Sequence, residues 1–457
     1  MAGRRVWLVF SDPLTTRLFI ETRLLERLAA RLGDRLLVVF LEPRTTASRW
    51  VATEDLNVAY YDDLFPERVR PSERIIRRID ASLERRFGFW PLAIRFNYRH
   101  GFHVERMAHG HRNPFLDLDH ADPLPRWRWI ERAMLGWYFS PRRYVPRALL
   151  KRMKDECDTV VVASMQTPSP APVLNAARRL SIPSIGYVAS WDHAVGKGVV
   201  SRHLGTYIVQ NDVMQDDLVR LHGVDPARVV VTGWPQSDLF HARRPPEEFA
   251  ELARHHSLDP TRPVVLVMGN TPTNTPYEPL FFRRLIEWWE DAGARERFSL
   301  LFRPHPRDKH WQERFAPAMG TNGAAVQPAG ESDLTSLAIM LQHGACVVSN
   351  AGTVLLDAIV NDRPAVCVVY DEGAPPGEAW APKNILGVHY RELMSSTAFY
   401  RAESFEEVTN AIERALRHPD ELSSERCRVS RKVVGELDGL AGERVVDAIV
   451  SRAQGRS

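Results

Sequence analysis

The segment RPHPRD, Arg303 to Asp308, sets an imidazole between two prolines and flanks it with Arg303 and Arg307. The prolines restrict the backbone around His305. Guanidinium groups bind phosphate oxygens through paired N–H groups, and a held imidazole can donate a proton or hydrogen bond as charge builds on a leaving group. A departing diphosphate suits that set. A lone histidine is more often structural. Here the case for chemistry rests on its place at the end of the apolar run Ser299 to Arg303, with a loop rich in small residues on either side in sequence.

SNAGTVLLDA, Ser349 to Ala358, is a second group. Ser349, Asn350, Gly352 and Thr353 are small or hydroxylated, so a ligand can approach the backbone, and a helix is predicted to begin here. Oriented N–H groups and the helix dipole then attract phosphate, and Asp357, one turn in, can accept hydrogen bonds from a ribose. An ordinary helix cap fits the same residues. Gly269, Asn270 and Thr271, in GNTPTNTPYEP, offer backbone and hydroxyl donors for phosphate or base, against the alternative of a proline-rich turn. In SWDHAVGKG, Asp192 and His193 could move protons and Lys197 could meet phosphate; a polar loop with a capping Asp fits equally.

These loops need strands to carry them. Val6 to Phe10, Arg35 to Leu41, Asp158 to Ala163, Ser184 to Val188, Tyr207 to Val209 and Val229 to Val231 read as buried parallel strands, with helices between them. A second series follows: Pro263 to Met268, Ser299 to Arg303, Ala345 to Val348 and Ala365 to Tyr370, with helices continuing to the C-terminus. Parallel sheets of this kind bind ligands at the carboxyl ends of their strands, where every candidate loop falls. Asp12, after the first strand, lies near such a cleft, although helix capping explains it as well. Gly233 and Pro235 in VTGWPQSDLF, Val231 to Phe240, mark the change of domain.

A chain of 457 residues predicts two domains of about 200 residues each. A net charge of +3 excludes a general nucleic-acid binder. Cys157, Cys346, Cys367 and Cys427 lack metal-type spacing and read as reduced, so no metal site is expected. The opening MAGRRVWLVFSD reads as a first strand rather than a targeting signal, and no run reaches the roughly 18 apolar residues of a membrane span. A cytoplasmic location follows as the expectation. From about residue 55 to 154 the chain turns polar, arginine-rich and aromatic, which predicts a helical insertion. Within it, residues 126–154 interleave Trp127, Trp129, Trp137, Tyr138 and Tyr144 with cations. Helix packing accounts for that pattern, and peripheral contact with the inner face of a membrane is the rival.

VTGWPQSDLF, RPHPRD and SNAGTVLLDA together resemble pieces of the GT-B glycosyltransferase superfamily, in particular CDP-glycerol glycerophosphotransferase-like proteins and the non-hydrolysing UDP-N-acetylglucosamine 2-epimerases. The resemblance runs from about Asp158 to Pro419. It implies an α/β fold of two Rossmann-like doubly wound domains: 1–232, acceptor-side and carrying the insertion, and 233–457, donor-binding with a helical tail, the site lying in a cleft between them. The glycerophosphotransferases' histidine for the donor diphosphate lands on His305, and their small-residue turn before a helical Asp lands on Asn350 to Asp357. The epimerases' phosphate and ribose residues land on Gly352, Thr353 and Asp357. Two departures stand out. SWDHAVGKG replaces the His-Gly-Thr loop of the first group, and the His-Val-Glu segment of the epimerases has no counterpart.

The resemblance implies transfer of a sugar, or secondarily a polyol phosphate, from a nucleotide-diphosphate donor to a glycan, lipid-linked or small-molecule acceptor, in cell-envelope glycan or glycolipid synthesis. It implies no cofactor and no metal: the nucleotide-diphosphate sugar or CDP-glycerol is a substrate. His305 and Arg303 would steady the leaving diphosphate, and Asp192 or His193 would take the acceptor's proton. Gly269, Asn270, Thr271, Ser349, Asn350, Gly352, Thr353, Asp357 and Lys197 would hold the donor. The alternatives are an isomerase of the epimerase kind and a non-catalytic nucleotide-sugar-binding protein. A metal-dependent transferase of another fold would use Asp117 to Asp119, which follow a polar loop rather than a strand.

Overall fold

In the computed structural model, which describes residues 4–50, 56–65, 71–90, 92–93, 96, 125–165 and 167–455, the apolar runs form two separate parallel sheets. Asp117 to Asp119 lie outside the described residues. Unit 1 comprises Met1–Pro235 and Leu440–Ser457; unit 2 comprises Gln236–Gly439.

The sheet of unit 1 is built from β1 (Arg5–Phe10), β2 (Leu36–Phe40), β3 (Val58–Tyr60), β4 (Cys157–Val162), β5 (Ser184–Tyr187), β6 (Thr206–Val209) and β7 (Val229–Val231), in the order β3-β2-β1-β4-β5-β6-β7. All pairs are parallel. The sheet of unit 2 is built from β8 (Val264–Met268), β9 (Ser299–Arg303), β10 (Ala324–Val326), β11 (Cys346–Asn350), β12 (Ala365–Val368) and β13 (Tyr400–Ala402), in the order β10-β9-β8-β11-β12-β13, again parallel throughout. Each sheet runs one way from its first strand and then back past it, between β1 and β4 and between β8 and β11. A crevice opens at such a reversal, at the carboxyl ends of the strands. Both units are Rossmann-like.

The interior of unit 2 explains why its loops hold their positions. Val265, Val267, Leu300, Phe302, Cys346 and Val348 pack with Phe282, Trp289 and Phe315 in one buried cluster. Burying a large apolar side chain contributes about 1.5–3 kcal/mol, so these strand ends are fixed.

The tail differs from the expected division of the chain at residues 232 and 233. The helix Ala441–Ala453 belongs to unit 1, where it packs on Leu24–Leu32. Arg31 Nη1 donates to Glu443 Oε1 at 3.1 Å, and Arg31 Nη2 to Asp447 Oδ1 at 2.9 Å. Gly233 has φ +87°, and a Cβ there would lie 3.0 Å from the Ala441 Cβ, so the glycine serves both the turn and the close approach of this helix.

The described part of the insertion between β3 and β4 is mainly helical, with the helices Pro71–Phe87, Pro125–Tyr138 and Arg147–Glu156. Several of its described aromatics are taken up in packing. Tyr138 is buried among Phe89, Met134 and Ala171, with Trp137 against the same cluster. The Arg143 guanidinium lies 4.8 Å from the Trp137 ring centroid, donates to Asp80 at 3.1 and 3.2 Å, and pairs with Glu84. Tyr144 donates to Glu73 at 3.2 Å. Within 126–154 Trp129 is exposed, while the Trp127 side chain lies outside the described set. The larger exposed apolar group is on another helix, at Ile75, Ile76 and Ile79.

Candidate functional site

Three loops leave the carboxyl edge of the unit 2 sheet from neighbouring strands β9, β8 and β11. Strand spacing puts the ends of β9 and β11 about 10 Å apart, with β8 between them. His305, Asn270 and Gly352 are therefore on one edge, at the reversal of strand order.

After β9 the chain turns at once: the Asp308 N–H donates to the His305 carbonyl at 2.8 Å. The Arg307 N–H donates to His305 Nδ1 at 3.1 Å. An accepting Nδ1 leaves the proton of the neutral ring on Nε2, which makes Nε2–H the donor that His305 can offer an anion. The ring is half-buried.

Arg303 occupies a different place from the one expected. Its side chain is buried; Nη1 donates to Gln327 Oε1 at 2.7 Å and Ser336 Oγ at 2.9 Å, and Nη2 to the Asp333 carbonyl at 2.7 Å. It anchors the start of the helix Leu334–His343 beneath the loop. The exposed cations of this loop are Arg307 and Lys309.

The loop after β8 is braced internally. Gly269 N–H donates to the Arg303 carbonyl at 2.9 Å, Asn270 N–H to Glu278 Oε1 at 3.1 Å, and Thr271 N–H to Asn270 Oδ1 at 2.7 Å. The expected backbone donors are thus engaged within the loop. Gly269 is required because a Cβ there would meet the Phe315 ring at 2.4 Å. Asn270 Nδ2 donates to the Ala351 carbonyl at 3.0 Å and so ties this loop to the one after β11 across the reversal.

Arg314, Glu278 and Asp308, all buried, complete the brace, and none was singled out from the sequence. Arg314 Nε donates to Asp308 Oδ2 at 2.8 Å, Nη2 to Glu278 Oε2 at 2.6 Å, and Nη1 to the Thr275 carbonyl at 3.1 Å. Burial pushes the Glu278 carboxyl up to about 8 against the pull of Arg314. Glu278 and Arg314 are 36 residues apart and no local pattern joins them; only the topology does.

After β11 the helix Thr353–Val360 starts at Gly352 with no side-chain cap. Leu355 N–H donates to the Gly352 carbonyl at 3.2 Å, and the positive end of the helix dipole faces the edge. Asn350, on the strand leading into it, is buried, and its Oδ1 meets no hydrogen-bond partner among the described residues. Such a group is a place where a ligand donor completes the set. Ser349 lies below, donating from Oγ to the Met268 carbonyl at 2.8 Å. Asp357 is buried too: its Oδ1 accepts from Gln236 Nε2 at 2.8 Å, and burial pushes its carboxyl up to about 8. In this arrangement it holds the chain at Gln236 rather than presenting both oxygens to a ribose.

On the carboxyl edge of unit 1, Asp192 Oδ1 accepts from Ser190 Oγ at 2.7 Å and its Oδ2 lies 3.3 Å from Lys197 Nζ. The Lys197 ammonium is thereby directed to the neighbouring carboxylate. His193 is buried, with Nε2 3.9 Å from Asp192 Oδ1. Burial pushes its imidazole down to about 4, so the ring is neutral at pH 7. Asp12 caps Pro13–Glu21 through Oδ1, which accepts from Thr15 N–H at 2.9 Å; its Oδ2 and the Ser164 Oγ are buried without partners among the described residues. A cavity of about 300 Å³ in this unit lies at the opposite edge, against Ser184 and Gly205 at the amino ends of β5 and β6.

Residues 197–451 match the family described as CDP-Glycerol:Poly(glycerophosphate) glycerophosphotransferase. Among solved structures, UDP-N-acetylglucosamine 2-epimerase from Rickettsia bellii is similar with a TM-score of 0.53 at 12% identity, over 99% of this chain and 98% of that one. The S. aureus MnaA–UDP structure gives 0.52 at 13%, over 99% and 98%. A glycosyltransferase from Rickettsia africae gives 0.52 at 10%, over 100% of both chains. At such identities the likeness is one of fold, and it makes the two Rossmann-like units those of a GT-B protein. No curated protein matches the chain. The family match spans more than half of the 457 residues, and the chain belongs to the CDP-glycerol:poly(glycerophosphate) glycerophosphotransferase family.

Proposed function

We propose that this transferase moves a polyol phosphate from a CDP-linked donor to a hydroxyl of a phosphate-bearing acceptor, with the donor's diphosphate held on the carboxyl edge of unit 2. Family membership puts the polyol phosphate ahead of the sugar, which the sequence motifs alone left first. One observation carries the site. His305 Nε2–H, the positive end of the helix Thr353–Val360 and the Asn350 Oδ1 lie on one edge, at the reversal of strand order.

In the proposed step the acceptor oxygen attacks the phosphorus that carries the polyol. The bond from that phosphorus to the bridging oxygen breaks, and CMP leaves with the bridging oxygen. His305 donates to the phosphoryl oxygens as charge shifts onto CMP, and the helix start steadies the same charge. The acceptor's proton passes to His193 or Asp192. Sugar transfer would break the bond at the sugar carbon instead and release a nucleoside diphosphate.

The released nucleotide therefore tests the reading. Incubation with CDP-glycerol and a glycerophosphate-primed acceptor should yield CMP in proportion to acceptor elongated. Nucleoside diphosphate from a sugar donor would establish sugar transfer, a changed nucleotide sugar without acceptor would establish an isomerase, and donor binding with no product would leave a binding protein.

No helix of the described residues is long and apolar enough to cross a membrane. We propose peripheral contact through the helix Pro71–Phe87 rather than 126–154, because Ile75, Ile76 and Ile79 are exposed beside the exposed cations Arg74, Arg77 and Arg78. The protein should sediment with phosphatidylglycerol vesicles and not with phosphatidylcholine vesicles. Equal sedimentation of the I75S/I76S/I79S variant would refute this surface.

A further inference from the structure

At the end of the helix Pro246–His255, against the loop that follows β10, two imidazoles meet a carboxylate. His255 Nε2 lies 3.4 Å and His256 Nε2 4.0 Å from Glu331 Oε2, and the ligand atoms of the three residues all lie within 4.8 Å of one another. No other such group occurs among the described residues. The His256 side chain is only 7% exposed.

Metal–nitrogen and metal–oxygen distances of about 2.0–2.2 Å in a tetrahedral site put ligand atoms about 3.3–3.5 Å apart. The His255–Glu331 separation of 3.4 Å already has that value, and His256 stands at 4.0 Å from the same oxygen. We propose that His255, His256 and Glu331 bind a first-row divalent metal ion, zinc in preference, with water completing the coordination. Two nitrogens and one carboxylate oxygen suit zinc, while calcium and magnesium favour all-oxygen sets.

The site also has a connection to the donor loops. The Glu331 carbonyl accepts from Gln327 Nε2 at 3.2 Å and from Ser336 Oγ at 3.3 Å, the two side chains that receive Arg303 Nη1. A metal fixing Glu331 to the end of Pro246–His255 firms the turn Ala329–Glu331 and with it the anchorage of Arg303. Its role is structural, and its binding is independent of which donor the protein uses.

The test is a titration of the full chain, stripped by chelator, with Zn²⁺ by calorimetry and with Co²⁺ by visible absorption. Wild type should bind one zinc ion tightly and give the intense Co²⁺ band of a four-coordinate site. Glu331→Gln, an isosteric change at a half-exposed position, and the H255N/H256N variant should each lower affinity at least about tenfold and lose the band, with melting temperatures in chelator unchanged. Absence of zinc binding, or zinc binding that is the same in wild type and both variants, would overturn the proposal.

Discussion

Asp357 lies one turn into a helix behind a small-residue turn, a position that in sequence suggests a hydroxyl-binding carboxylate. In the folded chain it is buried, accepts from Gln236, and is pushed up to about 8 by burial. Between the ordinary carboxylate value of 3.8 and about 8 the folded state holds a proton that the unfolded state has released. That contribution to stability is present in full below the unfolded value and is lost as pH rises through about 8. Wild type should therefore lose up to about 1.4 kcal/mol per pH unit over this window relative to Asp357→Asn, which keeps an oxygen for Gln236 but has no proton to lose. Urea unfolding of the pair at pH 5, 7 and 9 checks it. A constant difference would mean that Asp357 is ionised throughout. At this scale sequence patterns place residues well and their partners poorly. RPHPRD puts His305 at a strand end, but that Arg303 turns inward to Gln327, Ser336 and Asp333 depends on residues 24 to 33 positions away.

The loops at the candidate site are held by an element that no local pattern marks. Arg314 joins the loop after β9, through Asp308, to the loop after β8, through Glu278 and Thr275. Arg314→Met would leave two buried carboxyls facing each other without their cation, a change that costs about 3–5 kcal/mol. Much of that loss should return in a triple variant that adds Glu278→Gln and Asp308→Asn, as read by chemical denaturation; a triple variant no more stable than the single one would contradict the brace. The strands that were legible have apolar runs, buried in all of them but Val229–Val231. Those that were not, Val58–Tyr60, Ala324–Val326 and Tyr400–Ala402, are three-residue strands, each at an edge of its sheet. Two or three residues of alternation give periodicity nothing to act on, and such strands form because a neighbour supplies the ladder.

For the molecule as a whole, the two-sheet architecture and its family are legible because each βαβ unit repeats the same signal over some two hundred residues. The return of Ala441–Ala453 to unit 1 is not, since the contacts that place it, Arg31 with Glu443 and Asp447, join residues more than 400 positions apart. Amphipathic periodicity shows that a helix has a face to bury and is silent on where. The central claim concerns what the intact protein does with a donor: His305 is offered to its phosphate through Nε2–H, its orientation fixed by the Arg307 N–H. The most direct measurement is donor turnover by His305→Ala beside wild type, with melting temperatures taken on the same preparations. Loss of one preorganised donor to developing charge lowers kcat about 100- to 1,000-fold. The account predicts that fall with an unchanged melting temperature, because the ring is only half-buried. A folded variant that turns donor over at close to the wild-type rate would contradict it.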